Sequence, residues 1–212
     1  MELNSVITQL NWRLATKSFD PNKKITDGNI GLLSEALRLT PSSYGLQPWK
    51  FLIIKNTEIK EKLLLASYGQ KQVVDASHLI VLCTKTSIDQ TNVEQYIQNT
   101  AQTRGLSLEA LGGFKGMLSG FVGAKSKEEL RSWAVKQVYI ALGNLLTTCA
   151  VASIDTCPME GFDTAAYDQI LGLEKLGITA TVVCPVGYRL ENAPEINEKK
   201  VRFPKEEVVV EI

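Results

Sequence analysis

The stretch EELRSWAVKQVYIALGNLLTTCAVASI, residues 128–154, decides how the chain is organised. It reads as one long helix, with apolar residues almost all round its second half. Such a helix is buried on most of its faces, in a core or at a subunit interface. Lys136, Gln137, Gly143, Asn144 and several Thr and Ser interrupt it, so it lacks the roughly 18–20 uninterrupted apolar residues of a membrane span. Everything else is arranged around this helix.

Outward from it, helical spacing of apolar residues predicts helices over 5–17, 27–40, 57–66 and 163–171, with a polar helix over 88–107. Asn4 or Ser5 would cap the first, and Pro41 stops the second. Apolar, β-branched runs predict strands over 51–55, 79–84, 178–186 and 207–212. Gly112, Gly113, Gly116, Gly120 and Gly123 break up LGGFKGMLSGFVG. Helices outnumber strands, and the strands are too separated for hairpins, which points to a small sheet covered by helices in one domain over 1–212. The polar loop over 189–203 is longer than compact connections normally use, so the strand after it is placed to reach a second subunit.

Composition narrows the function. The 23 basic and 23 acidic residues cancel, so overall charge gives no support for nucleic acid or an anionic membrane as partner. Cys83, Cys149, Cys157 and Cys184 form no C-x-x-C, and His78 alone cannot complete a zinc set with them, so no metal is expected. No leader-like segment opens MELNSVITQLNWR, and a cytoplasmic setting is expected. There is no G-x-G-x-x-G, no G-x-S-x-G and no true P-loop; GAKS at 123–126 has alanine between glycine and lysine. What remains is a set of cations near the two ends. Arg13 and Lys17 are four apart, hence on one face of the predicted first helix. Lys200 and Arg202 are two apart in an extended KKVRF, hence on one side of it. Two such pairs can clamp a phosphate. The loop PSSYGLQPW at 41–49 is rich in hydrogen-bond donors and permissive backbone, as a ligand-holding loop would be.

Taken in order, RLATKSF, PSSYGLQPWKF, DASHLIVLC, WAVKQVYIALGNLL, PMEGFD, CPVGYR and KKVRFP resemble the FMN-dependent nitroreductase family over essentially the whole chain. The branch is similar to the oxygen-insensitive NAD(P)H nitroreductases and dihydropteridine reductases. The resemblance implies an α+β fold, a small mixed sheet flanked by helices, with the C-terminal strand exchanged in a homodimer that binds FMN at its interface. Arg13, Lys200 and Arg202 would hold the FMN phosphate, and Lys17 would approach the N1/O2 edge of the ring. Pro41, Ser42, Ser43 and Gly45 would reach FMN from the partner subunit. Pro158, Met159, Glu160 and Gly161 would lie along the flavin, an amide reaching N5, with Glu160 placing the nicotinamide. Gln70 or Gln72 would meet the pyrimidine side. Tyr44 and Phe114 would face the substrate.

Two departures stand out. Ala15 replaces the family's usual serine at the phosphate, and Tyr44–Gly45 replaces a more usual Thr/His–Asn pair. Each lost hydrogen bond costs about 0.5–1.5 kcal/mol, too little to abolish binding. Segment 107–123, where substrate selectivity tends to live, reads either as a mobile lid or as a plain surface loop. The implied activity is hydride transfer from NAD(P)H through flavin N5 to a nitroaromatic, quinone or related small electrophile, in ping-pong order, with Lys17 and Glu160 as the catalytic side chains. The alternatives are a dihydropteridine or flavin reductase, or a non-catalytic protein that binds or senses FMN.

Overall fold

The computed structural model describes residues 3–212. Its centre is strand β2, His78–Lys85, in which Leu79 to Cys83 are fully buried. A strand covered on both faces needs no polar alternation, which is why LIVLC is continuously apolar. β2 pairs antiparallel with β1, Trp49–Ile54, on one side, and with β4, Ile178–Gly187, on the other. A two-residue strand β3, Asp155–Thr156, closes the far edge, giving the order β1-β2-β4-β3. Every ladder is antiparallel. Among the described residues the parallel component of the expected mixed sheet is one isolated bridge, Ala15 to Thr156.

The pleat of β2 sorts its side chains to two cores. Leu79, Val81 and Cys83 pack with Leu63 of α3, Thr57–Ala66, and Tyr167 of α8, Thr164–Leu171. Ile80 and Leu82 face Leu33 and Leu37 of α2, Asp27–Arg38, together with Val138, Ala141, Leu142 and Leu145 of α7, Lys127–Val151. The start of α7 is set by a capping box: Glu129 N–H donates to Ser126 Oγ (3.2 Å) while Ser126 N–H donates to Glu129 Oε2 (2.8 Å). Among the described residues α7 is also the one helix long and apolar enough to cross a membrane, yet it packs here against α2 and the sheet.

A third core joins the N-terminal half of α7 to α5, Gln90–Arg104, and α6, Gly112–Gly123. α6 overturns the expectation that five glycines break this segment. All five lie on the exposed side, while Leu118 and Val122 are buried and Phe114 and Phe121 half-buried on the other. Each glycine weakens the helix by about 1 kcal/mol relative to alanine, and burial of that apolar stripe outweighs it.

Three further corrections concern the ends and the sheet edge. The first helix, α1, spans Leu3–Trp12 and stops five residues short of the expected Lys17. The strand expected over 207–212 does not form in the single chain: Lys205–Val208 is one helical turn, α9, and 209–212 is exposed with no ladder partner. β3 was not anticipated, being too short to carry a pattern.

The last residue of β4 illustrates how tightly the sheet is seated. A Cβ on Gly187 would lie 2.9 Å from Phe19 Cδ1 and 3.0 Å from the Ser77 backbone nitrogen. Phe19 is 1% exposed and has nowhere to move. Gly187→Ala is therefore expected to destabilise the fold by about 1–3 kcal/mol. Urea unfolding followed by circular dichroism measures it, and an unchanged midpoint would contradict this packing.

Candidate cofactor site

Residues 13–17 leave α1 as extended chain. Thr16 N–H donates to Thr156 O (3.0 Å), and the buried Thr16 hydroxyl donates to Asp155 Oδ1 (2.9 Å). These tertiary bonds replace the helical ones the sequence pattern predicts. With Thr16 turned inward, Arg13, Leu14, Ala15 and Lys17 line one cavity of about 730 Å³. The cations expected on a helix face thus share a side for a different reason. Across the cavity the loop 189–203 contributes Arg189, Glu195, Lys200 and Arg202.

Positive charge is concentrated here. Arg13, Lys17, Arg189, Lys199, Lys200 and Arg202 line the cavity against two carboxylates, Glu195 and Glu198. Lys200 Nζ donates to Leu10 O (3.0 Å) and to Arg13 O, carbonyls at the end of α1 that have no helical partner. Its ammonium is pushed below the usual lysine range by burial, then by the charges of Arg13, Arg202 and Arg189. A bound anion would relieve that repulsion.

Arg189 is one of the site residues that the sequence pattern does not mark, although it ends the quoted CPVGYR. Its Nε donates to Asp155 Oδ1 (2.7 Å), its backbone N–H to Oδ2 (2.9 Å), and its guanidinium stacks on Trp12 at 4.1 Å. Nη2 lies 2.5 Å from the same Asp155 Oδ1 as an ion pair, so the guanidinium is held against the carboxylate. Nothing local marks Arg189, because its partners, Trp12 and Asp155, are far away in sequence.

The segment after β3 carries the second patch. Cys157 N–H donates to Pro185 O (3.0 Å), and Met159 and Val183 exchange backbone bonds of 2.8 and 3.1 Å, laying 157–159 along β4. The Met159 amide is thereby spent. Among the described residues, neither the Glu160 nor the Gly161 amide donates a hydrogen bond, so an amide offered to a ligand comes from one of those two. Gln70 Nε2 donates to Gly161 O (2.8 Å) and Ser67 O (3.1 Å), and the buried Gln72 donates to Gln70 Oε1 (3.3 Å). Lys60 closes the far end of the adjoining helix α4, Gln72–Asp75: its buried ammonium donates to Val74 O (2.8 Å) and Ala76 O (2.6 Å). Burial first, then Lys24, lowers Lys60 to about 8. The exposed Glu160 carboxylate accepts from Tyr139 of α7 at 2.5 Å, and burial, that bond and the carboxylate's charge push Tyr139 up to about 12.

Residues 10–188 match the family model described as Nitroreductase family. The chain belongs to the nitroreductase family. A Staphylococcus haemolyticus relative, named as a putative NAD(P)H nitroreductase, is 36% identical over 97% of this chain and 96% of its own. A solved nitroreductase-like protein of Streptococcus mutans superposes with a TM-score of 0.86 at 21% identity, over 100% of both chains. Another, from Exiguobacterium sibiricum and described as a putative nitroreductase in complex with FMN, gives 0.82 at 21% identity, over 100% of this chain and 98% of that one.

In this nitroreductase-family chain the remaining candidates lie apart from the cavity. The loop 41–45 is anchored on α7, where Ser43 N–H donates to the buried Gln137 Oε1 (2.8 Å). Gly45 N–H donates to Ser42 O (2.9 Å), and both Tyr44 (φ +57°) and Gly45 (φ +74°) are left-handed. A Cβ on Gly45 would sit 2.1 Å from Tyr96 Oη. Tyr44 packs on Phe121 (ring centroids 4.7 Å) and Phe114 on Tyr96 (6.2 Å), so both aromatics belong to the third core's edge. Pro41, Ser42, Ser43, Tyr44, Gly45 and Phe114 do not line the cation cavity of their own chain.

Asp155 joins the first two patches, and the cost of losing it is calculable. Asp155→Ala would leave the Arg189 guanidinium, 14% exposed, without its counter-charge. Breaking a buried pair from one side costs about 3–5 kcal/mol. A loss of that order in urea unfolding is expected; a loss below about 1 kcal/mol, the range of an exposed pair, would contradict the burial.

Proposed function

We propose that this chain is an FMN-dependent oxidoreductase drawing on NAD(P)H. The observation that carries the reading is the convergence of Arg13, Lys17, Arg189, Lys200 and Arg202 on one cavity, with the depressed Lys200 in its wall. Such a donor set fits a phosphate dianion. Bound there, FMN would supply hydride transfer through N5 from NAD(P)H to a nitroaromatic, quinone or related electrophile, in ping-pong order.

The chain's own residues then have distinct tasks. Arg13, Lys200 and Arg202 hold the phosphate, and Ala15 contributes backbone and space but no hydroxyl. Lys17 sets positive charge where the reduced ring collects negative charge. Gln70, half-buried where Gln72 is buried, would meet the pyrimidine edge through the remaining lone pair of Oε1, since its Nε2 already donates to Ser67 O and Gly161 O. Pro158 and Met159 form the floor, Glu160 or Gly161 offers the free amide, and Glu160, tethered by Tyr139, orients the nicotinamide. The four cysteines are all free thiols, in keeping with a reducing cytoplasm.

The reading includes a homodimer. Residues 198–212 are exposed throughout, among them Val201, Phe203, Val208, Val210 and Ile212. β1 is an open sheet edge, and between it and α2 runs a groove of about 310 Å³ lined by Leu37, Trp49, Phe51 and Ile53. The tail of a second copy fits that edge as an added strand. The same assembly brings the 41–45 loop, Tyr44 and Phe114 to the partner's cavity.

Two measurements test this. Protein soaked in FMN and desalted is expected to keep one flavin per subunit, to bleach with anaerobic NADH or NADPH, and to recover colour with a nitroaromatic or quinone. Arg202→Ala should loosen FMN by roughly 10- to 100-fold, one charge-assisted contact of about 1.5–3 kcal/mol. Absence of bound flavin in the wild-type protein would sink the assignment, and retention without bleaching would leave a flavin binder. For the dimer, deletion of residues 205–212 is expected to shift sedimentation from dimer toward monomer; an unchanged dimer would remove the tail from the interface.

A further inference from the structure

The loop 189–203 reaches the 10–18 segment at three places. At its start Leu190 N–H donates to Ser18 O (2.9 Å). At its end Lys200 Nζ donates to Leu10 O and Arg13 O. Between them stands Glu195, in the single 3₁₀ turn Pro194–Asn197. Its Oε1 accepts from both Lys17 N–H and Ser18 N–H, each at 2.9 Å, and its Oε2 accepts from Ser18 Oγ at 3.4 Å. Two successive backbone N–H groups converging on one oxygen form an anion-holding nest, and here the protein's own carboxylate fills it.

The charge around it makes this contact more than a loop staple. The loop carries Lys199, Lys200 and Arg202 toward Arg13 and Lys17, cations meeting cations across the cavity. Without an anion these groups repel, as the lowered Lys200 already records. Burial raises the Glu195 carboxyl, but hydrogen bonds from its own backbone and from the Ser18 and Lys17 amides prevail and hold it below the usual carboxylate range. Charge-assisted bonds of this kind are about twice as strong as neutral ones.

We propose that Glu195 is the latch of the cavity: its carboxylate fastens the cation-bearing loop to residues 17–18, so that the phosphate-binding cations stand assembled before FMN arrives. It is a positioning residue, acting through Arg13, Lys200 and Arg202. This inference rests on the flavin reading for its consequence, but its mechanical half concerns the apo protein alone. Preassembly lowers the ordering cost of binding, so losing the latch weakens cofactor retention without removing any group from the phosphate.

The test compares wild-type protein with Glu195→Ala and Glu195→Gln. In the apo proteins, amide hydrogen exchange at Lys17 and Ser18 is expected to accelerate at least about tenfold in Glu195→Ala, with β2 amides unchanged. FMN affinity, read by flavin fluorescence, is expected to fall about tenfold, the loss of one or two such bonds. Glu195→Gln keeps an oxygen for both amides and should fall between. Should Glu195→Ala fail to fold, Glu195→Gln, which turns the charge-assisted bonds into neutral ones, carries the same comparison. Wild-type exchange rates at both amides in the variants would overturn the latch, as would released amides with an unmoved FMN affinity. Wild-type protein that takes up no FMN would overturn the flavin reading instead, and the exchange comparison would still decide the latch.

Discussion

The carboxylate of Asp155 is where the architecture and the site become one problem. It is 3% exposed and sits on the shortest strand of the sheet, yet it accepts from the Thr16 hydroxyl and from the backbone and side chain of Arg189. Those bonds fix the two chain segments that flank the cation cavity, one arriving from α1 and one leaving β4. A buried charge is tolerated only when its remaining lone pairs are engaged, and here they are engaged by the groups whose placement matters. The adjoining turn at 156–161 inherits its position from the same strand, with Ala15 bridged to Thr156 at one end and Gln70 holding Gly161 at the other.

Which parts of this were legible in the sequence follows from how local each signal is. β2 and α7 could be read from LIVLC and from the all-round apolar pattern of KQVYIALGNLL, because burial writes itself into consecutive residues. The ordered motif series likewise led to the family before any geometry was known. The extended conformation of 13–17 could not be read: RLATK has helical composition, and it is long-range bonds to Asp155 and Thr156 that pull it straight. α6 was hidden for the opposite reason. Its glycines argue against a helix, and only the facing surfaces of α5 and α7 make its apolar stripe decisive.

The same distinction explains the residues that were missed. Arg189, Glu195 and Tyr139 each act through partners distant in the sequence, and none belongs to a run with a period. The cations Arg13, Lys17, Lys200 and Arg202 were found because they come in spaced pairs. A chain with zero formal net charge can still place six cations around one cavity, so overall charge excludes a polyanion partner more safely than it excludes a single small anion.

The C-terminal tail shows why β-branched composition need not give a strand in a single chain. Ordering the twelve residues 201–212 costs on the order of 10–20 kcal/mol. Burying the six exposed apolar side chains Val201, Phe203, Val208, Val209, Val210 and Ile212 returns a similar amount, at about 1.5–3 kcal/mol each. The balance is near zero, so β-branched composition alone does not fix the segment. In the proposed dimer a second surface would tip it, through ladder bonds to an open edge and apolar area that α1 and α7 leave exposed at Ile7, Leu10 and Ile140. Strand formation at the tail and association of two copies would then be one cooperative event, and neither would be expected to persist without the other.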